Sequence, residues 1–97
     1  MNSSRLFNKT LLITGGTGTF GNAVLDIASK NGFGEIRIFS RDEKKQDDMR
    51  ERLKNPSVKF YIGDVRNYDS VCQAMQGVDF VFHAAALKQV PAREFLQ

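Results

Sequence analysis

The apolar run Leu11-Leu12-Ile13 passes directly into Thr14-Gly15-Gly16-Thr17-Gly18-Thr19-Phe20-Gly21, and a helix-patterned stretch follows at once. Gly15, Gly18 and Gly21 stand at G-x-x-G-x-x-G spacing in what reads as a strand-to-helix turn, which leaves few folds open. Glycine lets the backbone turn tightly and approach a ligand closely. A helix beginning there directs unpaired N–H groups and the positive end of its dipole at whatever fills the turn. The pattern predicts a cradle for a phosphate or pyrophosphate, built from Gly15, Thr17, Gly18, Thr19, Phe20 and Gly21. Its weight comes from the flanking strand and helix, since glycine triplets alone are a weak signal.

Short apolar runs alternate with helical patterns along the rest of the chain, the mark of repeated βα units and a parallel sheet. Strands are expected over Thr10–Thr14, Glu35–Ser40, Val58–Ile62 and Val78–His83, the last an almost continuous apolar run of the kind buried on both faces. The first helix carries Phe20, Val24, Ile27 and Ala28 at helical spacing and stops near Asn31-Gly32. Residues 41–54 hold eleven charged side chains among fourteen, with only Met49 and Leu53 clearly apolar, and read as a solvated surface helix ended by Asn55-Pro56. A third helix is expected over Asn67–Gln76, with Val71, Cys72 and Met75 inward and Gly77 as its stop. Cys72 reads as a small core residue rather than a nucleophile.

Right-handed crossovers between these strands give the order 3-2-1-4, so the fold class is α/β: part of a Rossmann-type doubly wound parallel sheet. Residues 1–97 then form part of one nucleotide-binding domain and are expected to be a fragment of a longer chain. A fifth strand normally flanks the fourth and is expected to be missing, because nothing remains after Gln97 to supply it. The fourth strand's edge is therefore expected to stay unpaired, which would promote self-association into a homo-oligomer.

Composition excludes several alternatives. Apolar residues at 41% and charged residues at 26% are ordinary for a globular protein. Fourteen Lys and Arg against eleven Asp and Glu give +3, too small a surplus to argue for nucleic acid. A single cysteine allows no internal disulfide and fits a reducing compartment. The start Met1-Asn2-Ser3-Ser4-Arg5 lacks the apolar core of a signal peptide, and no run approaches membrane-spanning length; the expected location is cytoplasmic, with no membrane partner.

The ligand's identity is read about twenty residues past the glycine turn, where the second strand ends. A carboxylate there would bind the ribose of NAD; this chain instead has Ser40-Arg41, with Lys44 and Lys45 one turn on. A guanidinium fork and a hydroxyl suit a 2′-phosphate, so the site is expected to prefer NADP. Asp42 and Glu43 could face a ribose, but they also begin the next helix, where its dipole favours acidic groups. At the end of the third strand Asp64 either meets an adenine edge or caps the turn before the third helix, and both readings stand. His83-Ala84-Ala85-Ala86 closes the fourth strand with small side chains that let a flat cofactor approach the backbone. His83 itself reads as a structural hydrogen-bonding residue.

Four segments together, Thr14–Gly21, Ile38–Gln46, Phe60–Arg66 and His83–Pro91, resemble the amino-terminal part of the extended short-chain dehydrogenase/reductases. More narrowly they resemble the soluble UDP-N-acetylglucosamine inverting 4,6-dehydratases of bacterial capsule and surface polysaccharide synthesis. Ser40–Lys45 and Ala85–Pro91 are the more selective parts of the match. The resemblance implies that Thr17–Phe20 hold a pyrophosphate, that Ser40–Lys45 bind the adenosine ribose and its 2′-phosphate, and that Asp64 and Val65 bind adenine. It further implies that Ala84 contacts the cofactor and that Lys88 contacts a UDP-sugar substrate. The implied chemistry is an internal redox cycle: hydride leaves C4 for NADP+, water is lost across C5 and C6, and hydride returns at C6 with inversion at C5. The superfamily's Tyr-x-x-x-Lys pair is not present, because Tyr61 and Tyr68 are followed four residues later by Val65 and Cys72. The resemblance thus implies that residues 1–97 are the amino-terminal part of an NADP-binding domain, with the catalytic segment and the substrate domain absent, and the chain alone is expected to be inactive. A non-catalytic NADP-binding sensor and part of a UDP-hexose 4-epimerase are the alternatives.

Overall fold

The computed structural model describes residues 7–15, 17–84 and 88–92, with the backbone only for residues 88–90. Its elements run β1 (Thr10–Thr14), α1 (Thr19–Lys30), β2 (Glu35–Ser40), α2 (Glu43–Leu53), β3 (Val58–Ile62), α3 (Tyr68–Met75), β4 (Phe80–His83) and β5 (Lys88–Pro91). The sheet order is β3-β2-β1-β4-β5. The first four strands are parallel, as the βα repeat requires.

The period of two along each strand sorts the core into two layers. Leu11, Ile13, Ile36, Ile38 and Val58 point to one face and pack under Leu25 and Ala28 of α1 and Met49 of α2. Leu12, Phe39 and Val81 point to the other face and meet Val71, Ala74 and Met75 of α3. Leu12, Ile13, Ile38 and Val81 have no exposed surface, so the central strands are buried on both sides. At β2 the alternation is broken by Arg37, whose guanidinium donates to Glu35 Oε2 (2.6 Å) and to the Ala74 carbonyl (2.8 Å) and lies 5.4 Å from the Tyr61 ring centre. Its charge is thereby paired while its stem packs under α3.

Four expectations are corrected. Phe20 and Ile27 are 57% and 60% exposed, while Gly21, Leu25 and Ala28 are the residues α1 buries. The buried stripe of α1 therefore runs through Gly21, Leu25 and Ala28, and Phe20 and Ile27 face outward. Cys72 is only half-buried, with Ala74 taking the fully buried place on α3. The outer edge of β4 is paired: β5 runs back antiparallel along it, with Val81 opposite Val90 and His83 opposite Lys88. The argument for self-association from a bare β4 edge therefore falls. β4 also starts at Phe80 rather than Val78. The Asp79 carboxylate accepts from the Thr10 N–H at 2.9 Å, and its own N–H donates to the Thr10 carbonyl at 2.9 Å, fixing the lateral position of β4 before the strand begins. Among the described residues, no helix is long and apolar enough to cross a membrane.

Candidate functional site

The carboxyl ends of β1 to β4 open into one cleft of about 1030 Å³. That is where a parallel sheet with reversing strand order leaves a crevice. Its first wall is the glycine turn. Gly15 has φ +70°, a conformation in which a side chain is strained, and its N–H donates to the Phe39 carbonyl at 2.9 Å. The turn closes through the Gly18 N–H and the Gly15 carbonyl at 3.2 Å. Asn22 holds it from behind: Nδ2 donates to the carbonyls of Thr17 (3.3 Å) and Gly18 (3.0 Å), while Oδ1 accepts from Arg52 of α2 at 2.6 Å.

Gly18 is the N-cap of α1, with no side-chain cap and no acidic residue in the first turn. The other two helices are capped by Asp42, which accepts from Lys45 N–H, and by Asn67, which accepts from Ser70 N–H. Among the described residues, a Cβ added at Gly18 would meet only the Gly15 carbonyl, at 3.6 Å, so their packing leaves that space open. An uncapped helix start beside open space suits an anion.

The opposite wall carries the charge. Ser40, Arg41, Asp42, Glu43 and Lys45 line the cleft, and Lys44 points along α2 to Asp48 at 3.7 Å. Asp64 and Val65 lie at the far end, together with Arg66. The Asp64 carboxylate accepts from the Arg66 backbone N–H (2.9 Å) and from Arg66 Nη2 (2.7 Å), with Arg41 Nη1 at 3.7 Å. The Arg66 side-chain hydrogen bond, helped by its backbone N–H and by the nearby Arg41 charge, lowers the Asp64 pKa to about 2. Asp64 also structures the turn, since its carbonyl accepts from Asn67 N–H at 2.8 Å. With Asp42 engaged as a cap and Asp64 paired chiefly to Arg66, Arg41 and Lys45 are the cations left on this rim, beside Glu43.

The Asp64 arrangement gives a pH expectation. A pKa depressed on folding stabilises the folded state above the ordinary carboxylate value, and this contribution is lost as pH falls through the folded value. An NMR titration of the Asp64 carboxyl carbon should show a midpoint near 2 rather than at the ordinary 3.8. Arg66→Ala should move it back up, and an ordinary midpoint in the unmodified chain would show that the arginine contact does not persist.

At the floor, Thr14 is 1% exposed and shares a 2.5 Å hydrogen bond with His83 Nδ1, joining the ends of β1 and β4. Ala84 is buried, its Cβ 3.6 Å from where a Cβ on Gly15 would stand, so the small side chain backs the glycine turn. Thr19, Phe20 and Gly21 form the first turn of α1 at the edge of the cleft. Ala85 and Ala86 lie outside the described residues. Lys88 sits on β5 in register with His83, beside the cleft.

Two cleft-side residues carry no sequence signal of function. Arg66 reads as one exposed arginine among many. Gln46 falls within the most charged segment of the chain, yet it is only 1% exposed.

A dinucleotide fits these residues: an open helix start for a pyrophosphate, a hydroxyl and cations on the rim for a ribose phosphate, and an apolar edge at Val65 for a base. Comparison with known proteins agrees with this architecture. A UDP-glucose 4-epimerase of Rickettsia bellii (strain RML369-C) is 71% identical over 92 residues, which cover 91% of this chain and 27% of that protein. The X-ray structure of Pen from Bacillus thuringiensis superimposes with a TM-score of 0.74 at 44% identity, over 78% of this chain and 24% of that one. A short-chain dehydrogenase/reductase from Brucella melitensis gives 0.66 at 25% identity, over 78% of this chain and 35% of that one. The chain thus spans about a quarter of the curated relative it matches. The family described as "Polysaccharide biosynthesis protein" matches residues 11–97, taking in the glycine turn, the basic rim and the β4–β5 edge, and the chain belongs to that family.

Proposed function

We propose that this chain is the NADP-binding, amino-terminal part of an enzyme that oxidises C4 of a UDP-hexose. The observation that carries the reading is the cleft itself, in which the uncapped start of α1 faces a rim formed by Ser40, Arg41 and Lys45. Bound NADP+ supplies a hydride acceptor there. The chain's own residues then hold and orient it. Backbone N–H groups over Thr17–Phe20 meet the pyrophosphate, Ser40, Arg41 and Lys45 meet the 2′-phosphate with Lys44 adding charge nearby, and Asp64 and Val65 border adenine. Ala84 backs the glycine turn with a small side chain, and Lys88, on β5 in register with His83, is the candidate contact to the sugar nucleotide.

Two outcomes share the C4 oxidation. The name of the Rickettsia bellii relative supports hydride return to C4, which is 4-epimerisation. The likeness of Ser40–Lys45 and Ala85–Pro91 to inverting 4,6-dehydratases supports loss of water across C5 and C6, with UDP-N-acetylglucosamine as the substrate. The full-length protein carrying this segment, incubated with UDP-glucose or UDP-N-acetylglucosamine and followed by mass spectrometry, separates them. A product of unchanged mass with inverted C4 is epimerisation, and one lighter by a water is dehydration. Neither product from either sugar would overturn the reading.

A further inference from the structure

Gln46 is buried in a helix whose other inward residue is Met49, a position that a second apolar side chain would fill as well. Its amide instead faces the ends of two strands. Nε2 donates to Tyr61 carbonyl oxygen at 2.8 Å and to Ser40 Oγ at 3.0 Å, with the Ser40 carbonyl more distant at 3.5 Å. The orientation is determined, because reversing the amide would put Oε1 against the carbonyl oxygens of Tyr61 and Ser40. Oε1 as it stands meets no donor among the described residues. A buried polar atom left in that state is unfavourable, so fold stability alone does not account for an amide here.

The consequence falls on Ser40. A serine hydroxyl has one hydrogen and two lone pairs. One lone pair of Ser40 Oγ receives a Gln46 N–H, and both Nε2 hydrogens are directed at oxygens, so the Ser40 hydrogen has no acceptor on that side. Ser40 lines the cleft at the point where Arg41 begins the basic rim. We propose that Gln46 is a positioning residue that fixes the Ser40 hydroxyl as a hydrogen-bond donor to the ribose 2′-phosphate. This rests on the NADP reading of the cleft. A phosphate oxygen only accepts, whereas a 2′-hydroxyl can also donate, so a serine held as a donor favours the phosphorylated ribose.

The test uses the chain with two probes, adenosine 2′,5′-bisphosphate and adenosine 5′-diphosphate, titrated by calorimetry. Gln46→Met removes the donors and the orphaned oxygen together while preserving bulk. It should weaken the 2′,5′-bisphosphate about three- to tenfold, the scale of one ordinary net hydrogen bond, and leave the 5′-diphosphate unchanged. Ser40→Ala should do the same, and the double variant should lose no more than either alone. Independently of any substitution, the Gln46 side-chain amide resonances should shift on adding the 2′,5′-bisphosphate and stay in place with the 5′-diphosphate. An unchanged ratio of the two affinities in Gln46→Met, additive losses in the double variant, or equal amide shifts with both probes would overturn the Gln46 role and leave the cleft assignment standing. An unmodified chain that binds neither nucleotide would bring down the NADP reading and this role with it.

Discussion

Gly63→Ala is expected to destabilise the chain by about 2–3 kcal/mol, the range for an overpacked core, or roughly 10–20 °C in melting temperature for a domain this small. The backbone at Gly63 is not in the left-handed region, so the penalty is steric. An added Cβ would stand 2.7 and 2.9 Å from two Phe39 ring atoms and 2.9 Å from Ser70 Oγ. The Phe39 ring is 2% exposed and packed among Leu12, Val71 and Val81, so it cannot swing aside without opening the layer under α3. Ser70 is no freer, since its hydroxyl donates to the Asp64 carbonyl at 3.1 Å. Gly77→Ala is the control: φ is +78° and the nearest atom is Arg37 Nη2 at 4.0 Å, so it carries strain without a clash, about 1 kcal/mol. Thermal melts should rank Gly63→Ala well below Gly77→Ala, and Phe39→Leu should recover part of the loss in the Gly63→Ala background. Equal melts would mean that β3 and α3 do not close on Phe39 as described.

Arg41→Ala is expected to weaken NADP about 10- to 100-fold while leaving NAD nearly unchanged, the scale of charge-assisted contacts to a phosphate. The Arg41 side chain is 72% exposed and its Asp64 contact is long at 3.7 Å, so it can turn to a ligand without breaking a buried pair. Its removal should barely alter the melting temperature, because exposed ion pairs contribute little. Raising salt should weaken NADP in the unmodified chain more than in the variant. A parallel loss for both dinucleotides would place Arg41 at the adenine or pyrophosphate instead.

β1 and β2 were legible as short apolar runs, Leu11-Leu12-Ile13 and Ile36 with Ile38-Phe39, bounded by glycine, asparagine or charge. α2 was equally legible as a surface helix. β5 was not: of Lys88, Gln89, Val90 and Pro91 only Val90 has strand character, and its pairing depends on β4 offering an open edge. The inward face of α1 was missed for a different reason. Spacing does not choose between two adjacent apolar stripes: α1 buries Gly21, Leu25 and Ala28 with Val24 half-buried at their border, and leaves Phe20 and Ile27 outside. At the site, the glycine turn and Ser40-Arg41 could be placed from spacing alone. Gln46 could not, because a polar residue amid eleven charges reads as solvated until the strand ends it bridges are known.

The bare start of α1 has a consequence for the lifetime of the polypeptide. Glycine in place of a serine or aspartate cap gives up a few tenths of a kcal/mol in the empty chain. On the proposed reading of the cleft, a bound pyrophosphate would supply what the cap does not, and linkage would add about 2.7 kcal/mol to folding at a free ligand concentration one hundred times Kd. Proteases that act on the opened chain would therefore clear the empty form faster than the loaded one, so that the amount of protein present follows the supply of dinucleotide.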